Sequence, residues 1–145
     1  MQKSNYSIII DAPREKVWEQ LWGKTSYREW TSEFAPGSDA ITDWQQGSKA
    51  IFTDGSGDGM VARIAERREN EYMSIEHLGE VKDGVEDTTS DKVKAWAGAK
   101  ENYTLNDKDG KTEVLIDMDT TDDFKDYMDK TWPKALNKLK EISEK

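Results

Sequence analysis

From Ser38 to Asp119 the chain alternates apolar with polar residues and turns often, with no helix of ordinary length; an apolar stripe at helical spacing then follows. Phe124, Met128, Trp132, Leu136, Leu139 and Ile142 step by three or four along one face of that last segment. A block of strands followed by one long amphipathic helix leaves few folds open. Sheet and helix each have an apolar face to bury, and an antiparallel sheet curled around the helix buries both at once.

The alternating block reads as six strands, roughly 39–44, 48–53, 59–68, 72–80, 93–106 and 111–119. Gln45-Gln46-Gly47, the DGSGD turn, Glu69-Asn70-Glu71 and Asp107-Lys108-Asp109-Gly110 join them, the last with Gly where a positive φ is wanted. The connection from Val81 to Asp91 is polar and long for a hairpin. It gathers Glu80, Asp83, Glu86, Asp87 and Asp91, and reads as a solvated loop or as a mobile lid.

Ahead of this block, Asn5 to Ile10 is a short β-branched strand. Asp11-Ala12-Pro13 then stops it and starts a helix, with Asp11 as cap and Pro13 in the first turn. Val17, Trp18, Leu21 and Trp22 form its apolar stripe and Gly23 its exit. Ser26 and Glu29 have capping-box spacing for a second short helix carrying Tyr27, Trp30 and Phe34, ended by Ala35-Pro36-Gly37. At the far end Thr120 and Thr121 cap the long helix, with Asp122 and Asp123 in its first turn and Lys138, Lys140 and Lys145 towards its end. Pro133 removes a donor and crowds the carbonyl of Asp129, so the helix kinks or restarts there; a kink is the favoured reading.

At 145 residues the chain suits one domain, spanning 1–145, with one sizeable core. Only 34% of residues are hydrophobic against 35% charged, so six Trp must supply core volume by bulk. A formal charge of −9 repels phosphate backbones and anionic membrane surfaces, which argues against nucleic acid and membrane as partners. No run reaches the length of a membrane span and the first residues lack a secretory pattern, so the expected location is the cytoplasm. Absence of Cys removes disulfides, thiol catalysis and thiolate metal sites.

IDAPREKVWEQLW, at Ile10 to Trp22, resembles the entry motif of the SRPBCC superfamily, the START-like or Bet v 1-like helix-grip fold. ENYTLNDKDGKTEVLIDMD, at Glu101 to Asp119, is similar to that fold's last hairpin, and TWPKALNKLKE, at Thr131 to Glu141, to the end of its terminal helix. Within the superfamily the chain looks nearest to the homologues of the activator of a heat-shock chaperone's ATPase. The resemblance implies an α+β helix-grip fold: a curved antiparallel sheet of about seven strands around a long C-terminal helix, with two short helices after the first strand. These motifs cap and pack, so they specify fold rather than function.

Several constellations could carry chemistry. DGSGDG, at Asp54 to Gly59, opens like an EF-hand loop but has Ala65 where the bidentate Glu belongs, and strands flank it; it reads as a hairpin turn. His77, the only histidine, shares a strand face with Met73 and Ile75, either as a hydrogen-bonded core residue or as a ligand contact or general base. Without Cys or a second His it makes no zinc site.

On strand 93–106, Ala97, Ala99, Glu101, Tyr103 and Leu105 share a face, and the family hairpin implies that this face turns inward. A buried Glu101 needs a partner, and Arg63 is a candidate, although alternation leaves the face of Arg63 open. Arg63, His77 and Glu101 could then orient a polar head while Met73, Ile75, Tyr103, Met128 and Trp132 hold an apolar body; a rim salt bridge is the plainer alternative. Trp30, Phe34 and Trp44 close one end of the hollow, stacking on a ligand or simply filling space.

No nucleophile motif, metal site or cofactor motif is present in the sequence, and no catalytic residue is assigned. The function expected is binding of a small apolar ligand between sheet and terminal helix. The resemblance also implies a protein-interaction role with a chaperone partner, and a cyclase- or aromatase-like enzyme in which His77 would act with Glu101 or Tyr103.

Overall fold

In the computed structural model, which describes residues 1–145, eight antiparallel strands form one sheet. In chain order the elements are β1 (Gln2–Ile10), α1 (Arg14–Trp22), α2 (Lys24–Thr31), β2 (Asp39–Ile41), β3 (Lys49–Thr53), β4 (Gly59–Arg68) and β5 (Tyr72–Lys82). They continue through β6 (Val85–Asp87), α3 (Asp91–Lys94), β7 (Lys100–Lys108) and β8 (Lys111–Thr120) to α4 (Asp122–Ser143). Strand order is β1-β8-β7-β5-β4-β3-β2, with β6 paired to β5 off that path. This is the helix-grip architecture, with α4 against the inner face of the sheet.

Alternation sets that inner face. On β8 Thr112, Val114, Ile116, Met118 and Thr120 are buried; register places Ile8, Tyr6 and Ser4 of β1 opposite Val114, Ile116 and Met118, and Leu105, Tyr103 and Glu101 of β7 opposite the same three. Two register shifts bend the β4–β5 ladder, one between Val61 and Ala62 and one between Ile64 and Glu66. The core is closed from the other side by Val17, Trp18, Leu21 and Trp22 of α1 and by Trp132, Ala135, Leu136, Leu139 and Ile142 of α4.

The helices depart from expectation at their ends. Asp11 does not cap α1: Pro13 holds that position without a side-chain bond, while the Asp11 N–H donates to the Glu144 carboxylate at 2.8 Å. The two ends of the chain are thereby tied together. Ser26 and Glu29 do not box α2, because Gly23 ends α1 and caps α2 in one extended residue, its carbonyl accepting from the Tyr27 N–H at 2.8 Å. Thr121 is the N-cap of α4 without a side-chain bond; α4 runs unbroken through the exposed Pro133, so it does not restart there. Phe124 leaves the expected core stripe and is 57% exposed.

The largest correction concerns residues 81–99. The expected loop from Val81 to Asp91 contains a tight hairpin to the extra strand β6, turning at Asp83 (φ 50) and Gly84 (φ 80), which raises the expected seven strands to eight. The expected strand start at Val93 is instead the helical turn α3, whose cap Ser90 accepts from the Val93 N–H at 3.3 Å. The DGSGDG turn is fastened to the β5–β6 turn: the Gly84 N–H donates to the Gly57 carbonyl at 3.2 Å and the Asp83 N–H to Asp58 at 3.1 Å. No helix is long and apolar enough to cross a membrane.

Candidate functional site

A pocket of about 620 Å³ opens between the α1–α2 corner and the edge strand β2. Trp22, Tyr27 and Trp44 make its aromatic walls, Ala40, Ile41 and Thr42 its far side, and Lys24, Arg28, Asp39 and Asp43 its charged rim. Part of that rim is fixed, since Arg28 donates to Asp39 at 2.9 Å and holds its carboxyl below the usual range. Burial of Asp39 opposes the shift, and the hydrogen bond from Arg28 outweighs it.

None of the nine residues expected to line a cavity lines this pocket. Trp30, Met73, Ile75, Tyr103 and Trp132 are all at most 2% exposed and belong to the packed core, with Met128 against its margin. The space between sheet and α4 is occupied by rings: Trp132 lies 5.8 Å from Tyr6, 6.1 Å from Trp30, 5.0 Å from Phe34 and 6.0 Å from Tyr103. Arg63 faces outward. It opposes Glu76 across the β4–β5 ladder and pairs with it at 2.8 Å, which removes it as the partner of Glu101.

His77 and Glu101 do point inward and meet each other. His77 Nε2 lies 3.2 Å from Glu101 Oε1, and the Tyr103 hydroxyl donates to Glu101 Oε2. These three form a polar cluster one ring behind the pocket, because Trp22 touches both sides: its ring is 4.6 Å from Trp44 and 4.9 Å from Tyr103. The pocket residues Lys24, Arg28, Asp39 and Asp43 gave no sequence signal. They meet only when the edge strand docks beside α2, and in a chain with 30 acidic residues no single pair stands out.

Burial, first, and the Glu101 charge, second, push the Tyr27 and Tyr103 hydroxyls well above the ordinary tyrosine range. Tyr6, which donates to Asp129 at 2.8 Å, is pushed up to about 12 by burial and then by that bond. An unfolded tyrosine ionises near pH 10, so above that pH the unfolded chain has lost protons that the native chain retains. Stability is therefore full below pH 10 and falls as pH rises through the native values. Absorbance at 295 nm should show Tyr27 and Tyr103 ionising only as the chain unfolds, and Tyr27→Phe with Tyr103→Phe should flatten the alkaline loss; reversible ionisation of Tyr103 near pH 10 in the native state would contradict this.

A model of the family described as Activator of Hsp90 ATPase homolog 1-like protein matches residues 11–144. Among solved structures, the chain is similar to the Aha1 dimer from Colwellia psychrerythraea, with a TM-score of 0.75, 20% identity, and 99% of this chain and 97% of that one covered. It is also similar to protein MLL2253 from Mesorhizobium loti (TM-score 0.74, 15% identity, coverage 97% and 96%). A third is CalU16 from Micromonospora echinospora (TM-score 0.67, 14% identity, coverage 97% and 75%). At such identities these likenesses bear on fold alone. A comparison with curated proteins finds no match.

Proposed function

The chain belongs to the Activator of Hsp90 ATPase homolog 1-like family, within the SRPBCC or Bet v 1-like helix-grip superfamily, and on that premise we propose that it binds a small, largely apolar, planar molecule. The carrying observation is the pocket of about 620 Å³ walled by Trp22, Tyr27 and Trp44. Its volume falls inside the usual range for small-molecule sites, and flat aromatic walls favour a flat guest. The ligand sits at the α2–β2 end of the molecule rather than between sheet and α4, where ring packing leaves no room.

A neutral aromatic probe tests this directly. 2-Methoxynaphthalene should quench tryptophan fluorescence saturably and raise Tm in proportion to occupancy. Ala40→Trp, which sets an indole into the opening from a part-exposed edge position, should weaken binding at least about tenfold while leaving the fold intact. Unsaturable quenching, or saturable binding that Ala40→Trp does not touch, would reject the pocket as the binding site.

A further inference from the structure

Two polar groups around this pocket lack partners. With Nε2 of His77 donating to Glu101, the lone pair of the neutral imidazole lies on Nδ1, which is buried and accepts nothing. The Nε1–H of Trp22, a wall of the pocket, is also buried without an acceptor. Native interiors pair nearly all such groups, so a bare acceptor two rings behind an open pocket calls for a donor. Each oxygen of Glu101 already has a hydrogen-bond partner, His77 on one and Tyr103 on the other, whereas Nδ1 of His77 has none.

Two rings separate the pocket from His77. Trp44 lies 5.9 Å from Phe52, and Phe52 lies 6.1 Å from His77. Trp44 is also the strained element: its φ of 60 is a value that residues other than glycine rarely adopt. It sits in an irregular connection between β2 and β3, where its N–H donates to Thr42 Oγ1 at 3.1 Å and the next N–H to Asp43 Oδ1 at 2.9 Å. Of the walls, Trp44 is the one carried at a positive φ, in a connection outside the sheet ladders.

Resting on the pocket reading above, we infer that the ligand carries a phenol-like hydroxyl, and that it turns Trp44 and Phe52 aside and donates that O–H to Nδ1 of His77. Charge narrows the class further. Glu101 has His77 and Tyr103 for company and no guanidinium or ammonium, because Arg63 pairs outward with Glu76. An anionic head would meet a carboxylate that nothing permanent neutralises, whereas a neutral donor meets an acceptor that needs one.

The probes are 2-naphthol, 2-methoxynaphthalene and 2-naphthoate, titrated into the full chain and followed by NMR through the tryptophan indole N–H and the His77 ring nitrogens. 2-Naphthol should bind about threefold to tenfold more tightly than its methyl ether, as one neutral hydrogen bond gives, and 2-naphthoate most weakly. Nδ1 of His77 should shift with naphthol and not with the ether. His77→Phe should erase the preference, and Trp44→Gly, which suits a positive φ and removes the ring, should keep it. Equal affinity for naphthol and ether, an unmoved Nδ1, or tighter naphthoate binding overturns the inference while the pocket reading stands; no binding of any probe overturns both.

Discussion

Trp132→Ala should cost about 3–5 kcal/mol, the range for deleting a fully buried large aromatic. Trp132 is 2% exposed and is the α4 ring that joins sheet to short helix, packing on Tyr6 of β1, Tyr103 of β7, Trp30 of α2 and Phe34 just beyond α2. Removing it leaves a void between sheet and helix that four other rings cannot collapse into without leaving their own partners. The buried Nε1–H of Trp132 has no acceptor, so the loss is one of packing and not of hydrogen bonding. Chemical denaturation should show a lower midpoint with unchanged slope, and Tm should fall by on the order of 10 °C. Phe124→Ala, on the same helix but 57% exposed, should cost less than about 0.5 kcal/mol. Equal costs for the two would mean that the aromatic cluster does not hold α4 in place.

That contrast also marks how far the sequence can be read. Spacing of three and four places Trp132, Leu136, Leu139 and Ile142 correctly on the buried stripe of α4, but periodicity says nothing of where a helix outruns its sheet, so it puts Phe124 inside as well. Met73, Ile75 and His77 sharing an inward face follows from alternation alone, as does the pairing of Glu101 and Tyr103 on one face of β7. The direction of Arg63 does not. Ala62 and Ile64, its immediate neighbours, face inward and force it out, but MVARIA is apolar enough on both faces to conceal which set is buried.

At Ser90-Asp91-Lys92-Val93 the cap and the first-turn acid are legible as a helix start. Alternation at Ala97, Ala99 and Glu101 outweighs them, because a single turn of helix leaves no period to detect. The pocket is illegible for a different reason. Its walls come from α1, α2 and the β2–β3 connection, and only the docking of the edge strand brings Arg28 to Asp39. Even so, Trp44 is legible as an aromatic closing one end of the fold; what the sequence does not carry is its positive φ.

Gly79→Ala should cost about 1–3 kcal/mol through overpacking of backbone on backbone. A Cβ there would lie 2.1 Å from the Asp87 carbonyl oxygen and 2.9 Å from Cγ2 of Thr88, so β6 must move away from β5. Gly110, at φ 88 with nothing within 4 Å of an added Cβ, would suffer only the conformational penalty. The effect at Gly79 reaches the candidate site through register. Val61 opposes Gly79 and Ala62 opposes His77, leaving Leu78 as an extra residue, so the β-bulge is what keeps Glu80 and His77 on one face opposite Met60 and Ala62. If the bulge is disturbed, the His77 N–H loses its 2.8 Å bond to the Ala99 carbonyl and the ring loses its aim at Glu101. Gly79→Ala should therefore speed hydrogen exchange in β6 and at His77 together, and shift the His77 ring nitrogens, while Gly110→Ala does neither. Exchange that quickens in β6 alone would show that His77 is held by the β7 side of the sheet and not by the bulge.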